Sequence, residues 1–531
     1  MKPSLIVLTV LLAVAALADP PPELLWQRSW NGLQDYSDEA RRVAVDMDGA
    51  VVVVGSSHTP TQGQRTVLQR YAADGTLLWT RIDDHLGGTT ITDLRLDADG
   101  AAVFTAMGHD SQLGTYLSLM KVDTQGDTVW ENRTHGDLVG FIALNSRLDR
   151  DGDGNWCTYA PLANTDILVW TVDPQGQTLW SRILDAGGTE LPSDIAFGTD
   201  GSVYLAGLQA PDFNLSARYA AAGDSLWSVM HPVEVGAQNL RVAALSDGGA
   251  VFTSNDEMET LGIPASFTWR MAADGTVLWR GRYPEPMEFV SVEVAEMLVT
   301  DDDRIIVLGT GGLTSARFHA QCFDAQGQEL WLATAAGAGT SNIMAAAAMG
   351  PSGSIVAGGS DNPGASGTVF FLVGLTPDGA VAWTRTWNLT PGRPDRLNDV
   401  AVGPDGSIVA VGFSWTGAGN GGDQWSVVKF AAPLSDADDV PTATTIAMQA
   451  YPNPFNPMTR IRYTVPTPGP VRLAVYDAAG RLVCTWSIAT TRRAGMNRSG
   501  TARMTRVAPR PAAPTCCAWS RRPGWGRAAC P

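Results

Sequence analysis

The sequence predicts an all-β protein: an eight-bladed β-propeller closed by its own N-terminal strand, followed by a small, truncated immunoglobulin-like β-sandwich. Three observations carry that prediction. A phrase ending in Trp recurs along most of the chain, a second phrase built on Asp-Gly lies between its copies, and the pattern changes abruptly after Pro433. Four short apolar runs in every roughly 40–50 residues is the signature of a propeller blade.

Residues 1–18 read as a signal peptide. Lys2 supplies the positive start, Leu5–Leu17 the apolar run and Ala16-Leu17-Ala18 the small-residue cleavage site. Thirteen apolar residues fall short of the ~20 that span a bilayer. The expectation is an exported chain with no membrane span after signal cleavage.

Residues 19–433 hold the repeat. The Trp phrase appears as Ala73-Asp74-Gly75-Thr76-Leu77-Leu78-Trp79 and as Thr124-Gln125-Gly126-Asp127-Thr128-Val129-Trp130, then before Trp180, Trp227, Trp279, Trp331 and Trp383. The intervals are 51, 50, 47, 52, 52 and 52 residues. Asp-Gly-type first turns fall near Gly49, Gly100, Gly152, Gly201, Gly248, Asp302, Gly353 and Gly406, which makes eight units. Gly serves such turns because it accepts positive φ without a steric cost. The eighth unit ends at Trp425–Phe430 with no Trp strand of its own, and an orphan one, Leu24-Leu25-Trp26, stands at the other end. The economical reading lets the N-terminal strand complete the last blade, which removes free sheet edges. The eight repeat tryptophans, Trp26 among them, are predicted to pack between blades, since a buried Trp removes ~150–250 Å² from water.

The Trp phrase resembles the tryptophan-docking repeat of quinoprotein-like eight-bladed propellers, over roughly residues 24–430. That resemblance implies the architecture. The family's dehydrogenases use pyrroloquinoline quinone, many of them over an adjacent Cys-Cys disulfide with a calcium ion. Here the body holds only Cys157 and Cys322, far apart, so the closer kinship is with non-catalytic relatives that bind proteins or scaffold surfaces. No catalytic residue and no bound cofactor are expected. Neither Gly-x-Ser-x-Gly, His-Glu-x-x-His nor a phosphate loop occurs. The alternative is a quinoprotein-like or carbohydrate-active enzyme that uses the channel face.

Two groups of residues are candidates for binding. The string Asp149-Arg150-Asp151-Gly152-Asp153-Gly154 matches the first half of a calcium loop, so Asp149, Asp151 and Asp153 are candidate calcium ligands. Position twelve, where a bidentate Glu is needed, is Ala160, and the string is also the ordinary first turn of blade three. The long second-to-third and interblade loops share one face, and His58, His85, His109, His135 and His231 fall in them, which marks a candidate ligand face.

Residues 434–448 form an acidic, Thr/Ala-rich linker, and residues 449–491 a partial second domain. The latter opens with Tyr451-Pro452-Asn453-Pro454-Phe455-Asn456-Pro457 and continues with strands of period two and Val475–Arg481. It resembles the C-terminal sorting domain of type IX secretion cargo. That implies the type IX machinery as a partner and a location outside the cell, secreted or on the outer surface. Residues 492–531 are a basic tail that departs from the family pattern. Nine of the 37 Lys and Arg lie between Arg492 and Arg527, and no Asp or Glu follows Cys484. Joining the last base of each codon to the first two of the next lets Ser499–Val507 read Trp-Asn-Gly-Ala-Asp-Asp-Ala-Gly, a missing piece of that pattern. The tail is therefore read as frameshifted or disordered. A net charge of −17 argues against a nucleic-acid partner, and the expected state is a monomer with an unidentified protein or glycan ligand.

Overall fold

The computed structural model describes residues 12–13, 20–32, 37–59, 63–83, 90–110, 114–135, 146–210, 213–232, 238–258, 263–283, 292–311, 316–339, 342–364, 367–415, 422–433, 448–451, 458–465, 471–476, 482–488 and 498–505. The chain divides into two compact units. One is Asp19–Pro433 and the other joins Met1–Ala18 to Leu434–Pro531.

The first unit contains eight four-stranded antiparallel sheets among the described residues. Blade one is Asp38–Val45, Val51–Thr59, Gly63–Tyr71 and Leu77–Asp83, and blades two to seven repeat that order. The eighth sheet takes Asp395–Val402, Ile408–Trp415 and Asp423–Phe430 from the end of the unit, and Leu24–Trp30 from its start as the fourth strand. Leu24 pairs with Phe430, Trp26 with Lys429 and Trp30 with Trp425. The first strand of every blade touches the first strands of both neighbours, including the eighth against the first, so these strands ring the central axis. This is an eight-bladed propeller without helices among the described residues.

Second and third strands supply the core. Val51–Val54 are fully buried in blade one, and Ile305–Gly311 and Val369–Leu375 are buried along their whole length in blades six and seven. Such runs read as continuous apolar segments because both sheet faces are covered by neighbouring blades. The fourth strands are half exposed and lay a Trp across each blade boundary. The Nε1 of Trp26, Trp79, Trp130, Trp180, Trp227 and Trp279 donates to a carbonyl in the last turn of the following blade, at 2.9–3.0 Å. Beneath each ring lies the turn glycine. At Gly75, φ is 82° and an added Cβ would meet the Trp26 ring at 2.6 Å, so both the turn and the ring exclude a side chain there. Trp331 makes the same approach to Gly379, but its Nε1 finds no acceptor.

The second unit holds two three-stranded sheets among the described residues. One orders Leu12–Ala13, Val471–Tyr476 and Leu482–Ile488, and the other Met448–Tyr451, Met458–Val465 and Arg498–Thr505. Two of these strands fall where the sequence reading places none. Leu12–Ala13 lies in the signal segment and Arg498–Thr505 in the basic tail, where it pairs antiparallel with Met458–Val465. Of the sorting motif, Tyr451 ends a strand, and Pro452–Pro457 lie outside the described residues.

Candidate functional site

The ring of first strands gathers a set of charged side chains around the axis of the propeller. Seven of these strands carry a bulge, and six of the bulges place a charged residue just beyond them: Arg42, Asp93, Asp194, Arg241, Glu296 and Asp399. A bulge twists a strand and re-aims one side chain. Here it turns a carboxylate onto two backbone donors at once. Asp93 accepts from the N–H of Leu94 and of Leu148 in the next blade, both at 2.9 Å. Asp194 does the same with Ile195 and Val242 at 3.0 Å, and Asp399 with Val400 and Val43 at 2.9 Å. Where no carboxylate is available, Asn255, Thr310 and Ser360 accept from Val294, Met344 and Leu397.

The remaining charges cancel across the axis. Arg147 of blade three reaches Glu296 of blade six at 3.3 Å, Arg241 approaches the same carboxylate at 3.9 Å, and Arg42 stands 3.9 Å from Asp93. Burial opposes ionisation of Glu296, but Arg147 and Arg241 together hold its pKa below the ordinary value. Burial wins at Asp194 and Asp399, pushed up to about 6 against Arg147 and Arg241 in one case and Arg42 in the other. A ring of balanced, bonded charges holds blades in register. Both body thiols are buried, Cys322 being pushed up to about 11 by that burial.

The loop face gathers the other candidates. His58 and His109 end second strands and are exposed, and His109 meets Thr115 at 3.4 Å. His231 instead ends a fourth strand, buried against Trp269 with ring centroids 5.1 Å apart. Burial, with the Arg280 charge, drives it down to about 4. His135 ends a fourth strand, and His85 lies outside the described residues. The structure therefore sets four of these histidines at strand ends, on three blades: His58 on blade one, His109 and His135 on blade two, and His231 on blade four. The sixth, His319, sits in a strand buried along nearly its whole length, where the sequence around it carries no loop signal. It is buried in the third strand of blade six, with its pKa lowered to about 4.

The calcium-like string serves its own turn. Asp151 accepts from the N–H of Asp153 and Asn155 and from the Asn155 side chain, while Asp149 accepts from Phe197 in the next blade at 2.8 Å. The left-handed residue of this turn is Gly154, two positions beyond Gly152. A different trio does converge: one carboxylate oxygen each from Asp166, Asp185 and Glu190 lie within 4.8 Å of one another. Burial raises the Glu190 carboxyl above its ordinary value. The nearby Gly188 and Ala186 amides ease this, and the Asp166 and Asp185 charges add to it. At the loop-face end of blade eight, Trp415 is 44% exposed with the Arg393 guanidinium 5.7 Å from its ring.

No family model matches this chain, and no curated protein does. Solved structures are similar at low identity. A lectin from Burkholderia pseudomallei is 11% identical at a TM-score of 0.46, covering 66% of this chain and all of its own. The β-propeller domain of the Trilobed protease from Pyrococcus furiosus is 8% identical at 0.37, covering 62% and 93%. Prolyl oligopeptidase B from Galerina marginata is 9% identical at 0.40, covering 72% and 55%. The propeller assignment rests on the eight sheets described above.

Proposed function

We propose that this chain is an exported propeller, at the cell surface or secreted, that binds a protein or glycan on its loop face or acts there as a scaffold. The observation that carries the reading is Trp415. A half-exposed indole beside a guanidinium is the kind of surface on which a sugar ring or an aromatic side chain stacks. The opposite face is spent on docking tryptophans, and the channel charges are spent on one another, which leaves the loop face for ligands. The N-terminal strand is proposed to be the clasp of the wheel, its ladder to Asp423–Phe430, roughly 20 Å long at about 3.4 Å per residue, joining the two ends of the repeat.

Delivery is proposed to run through the signal segment and then through a type IX sorting domain opened by Tyr451–Pro457, with the tail beyond Arg492 out of frame. Resequencing the gene across that tail tests the last point, and a single intact frame there overturns it. For the binding reading, a glycan array and a cell-surface pull-down with the full chain should give a partner that is lost in Trp415→Ala. Dye reduction that depends on added pyrroloquinoline quinone and calcium would instead favour an enzyme.

A further inference from the structure

Glu190 is an anomaly in the packing. It is the second residue of the first strand of blade four, is 1% exposed, and neither carboxylate oxygen receives a hydrogen bond of good geometry, only the looser approach of the Gly188 and Ala186 amides. A buried carboxylate left so is costly unless something positive meets it. Among the described residues no Lys or Arg forms an ion pair with it, nor with Asp166 or Asp185, the two carboxylates it faces.

The three come from two loops that the fold ties together. Asp166 closes the turn between the second and third strands of blade three, and Asp185 opens the connection from blade three to blade four. Thr165, held at φ 76°, donates its hydroxyl to the Gly188 carbonyl at 2.7 Å and accepts the Glu190 N–H on its own carbonyl at 2.8 Å. Asp166 accepts one bond, from Asn164 at 2.6 Å, and Asp185 one, from Gly187 at 2.9 Å, so oxygen lone pairs remain. Asp185 is exposed and Glu190 buried, which gives the trio an open side and a floor.

We propose that Asp166, Asp185 and Glu190 bind a divalent cation, calcium by the chemistry of the donors, and that the ion pins the blade-three turn to the connection into blade four. Calcium takes oxygen ligands at ~2.3–2.6 Å, so ligand atoms on one ion lie no more than about 5 Å apart, which the 4.8 Å spread satisfies. The all-oxygen set excludes the soft metals that seek sulfur or imidazole. Magnesium fits less well, because it holds its waters and demands a rigid octahedron. The site is separate from Asp149, Asp151 and Asp153, and it does not depend on what the loop face binds.

The test uses the full chain stripped with chelator and titrated with calcium chloride, read by calorimetry and by the thermal midpoint. Binding is expected with a dissociation constant on the order of 10⁻⁴–10⁻³ M, together with a rise in the midpoint. Glu190→Gln should raise the midpoint in chelator and abolish the calcium increment. Asp185→Asn, on the exposed side, should weaken binding at least about tenfold without disturbing the fold, and it decides the matter if Glu190→Gln does not fold. Asp151→Asn should bind as the unaltered chain does. No heat and no shift up to about 10 mM calcium, or a shift that persists in Asp185→Asn, would overturn the proposal.

Discussion

Blades one and seven share the Trp strand and meet their neighbours differently. In blade one, Trp79 lies over Gly126 of blade two and donates to Thr124, while its cross-strand partner Arg70 pairs with Asp46 and donates to the Gly100 carbonyl of blade two at 2.9 Å. In blade seven the partner is Gly374, and Trp383 folds onto it, 2% exposed, among Ile408, Ala410, Val428 and Phe430 of blade eight. The cause is the next blade. The eighth sheet gains its fourth strand from the N-terminus, so no turn follows Phe430, and neither a Trp nor a cation finds the usual carbonyl there. Six boundaries thus pair the docked Trp with a carbonyl of the following turn, Trp331 docks on Gly379 without that bond, and the boundary into the eighth blade, where no such turn follows, is held by apolar packing.

Substitutions can break this contrast. Trp383→Ala should cost about 3–5 kcal/mol, the range for removing a large aromatic from a closed core. Trp79→Ala should cost less, about 2 kcal/mol, because a half-covered ring and one hydrogen bond are lost. Denaturant unfolding of both variants checks the order, and equal costs would erase the distinction. Arg70→Met should cost about 3 kcal/mol by leaving Asp46 buried beside its turn without a cation. Thr171→Val, at the same position of blade three, should stay within about 1 kcal/mol. Gly374→Ala should cost about 1–3 kcal/mol, since its Cβ would stand 2.1 Å from the Trp383 ring, and Trp383→Leu in the same chain should recover part of it.

The smallest effect is a slope in pH. Asp194 and Asp399, raised to about 6, take up protons more readily folded than unfolded, so acidification from 6 towards 4 stabilises through them. His231 and His319, lowered to about 4, do the reverse between 6.5 and 4, and acidification destabilises through them. Through these four groups the two slopes oppose each other. Asp399→Asn removes one contribution that grows on acidification, so between pH 6 and 4.5 its midpoint should fall relative to that of the unaltered chain. Parallel profiles would contradict the assignment.

Much of this architecture is written in the chain. The Trp phrase names its own turn glycine and its own strand, and the unequal ends of the repeat reveal that one strand is borrowed. The chain carries a further signal: a basic residue stands five positions before the turn Gly at Arg70, Lys121, Arg218 and Arg270, and again at Lys429 opposite Trp26. Lys429 reaches the carbonyls of Gly49 and Ala73, and Arg218 and Arg270 reach those of Ala273 and Ala325, each in the following blade. The channel was not legible, because a bulge shifts the alternation by one and hides which of Arg42, Asp93 or Glu296 turns inward. The acidic trio was not legible either. Asp166 and Glu190 are 24 residues apart in sequence, on different blades, and only the folded loops join them. Four of the loop-face histidines stand at strand ends rather than within loops, because strand ends carry polar groups too.

The account depends on the N-terminal strand lying beside Asp423–Phe430. Cysteines placed at Ser29 and Ser426, which pair directly, test this in one step, since paired Cα atoms in an antiparallel ladder stand ~4.5–5.5 Å apart, within reach of a disulfide. The account predicts that Ser29→Cys/Ser426→Cys cross-links on mild oxidation of the folded chain, as seen by a peptide joining the two segments in mass spectrometry, with a higher unfolding temperature. A chain that leaves both thiols free when folded, or links them only after denaturation, would contradict it.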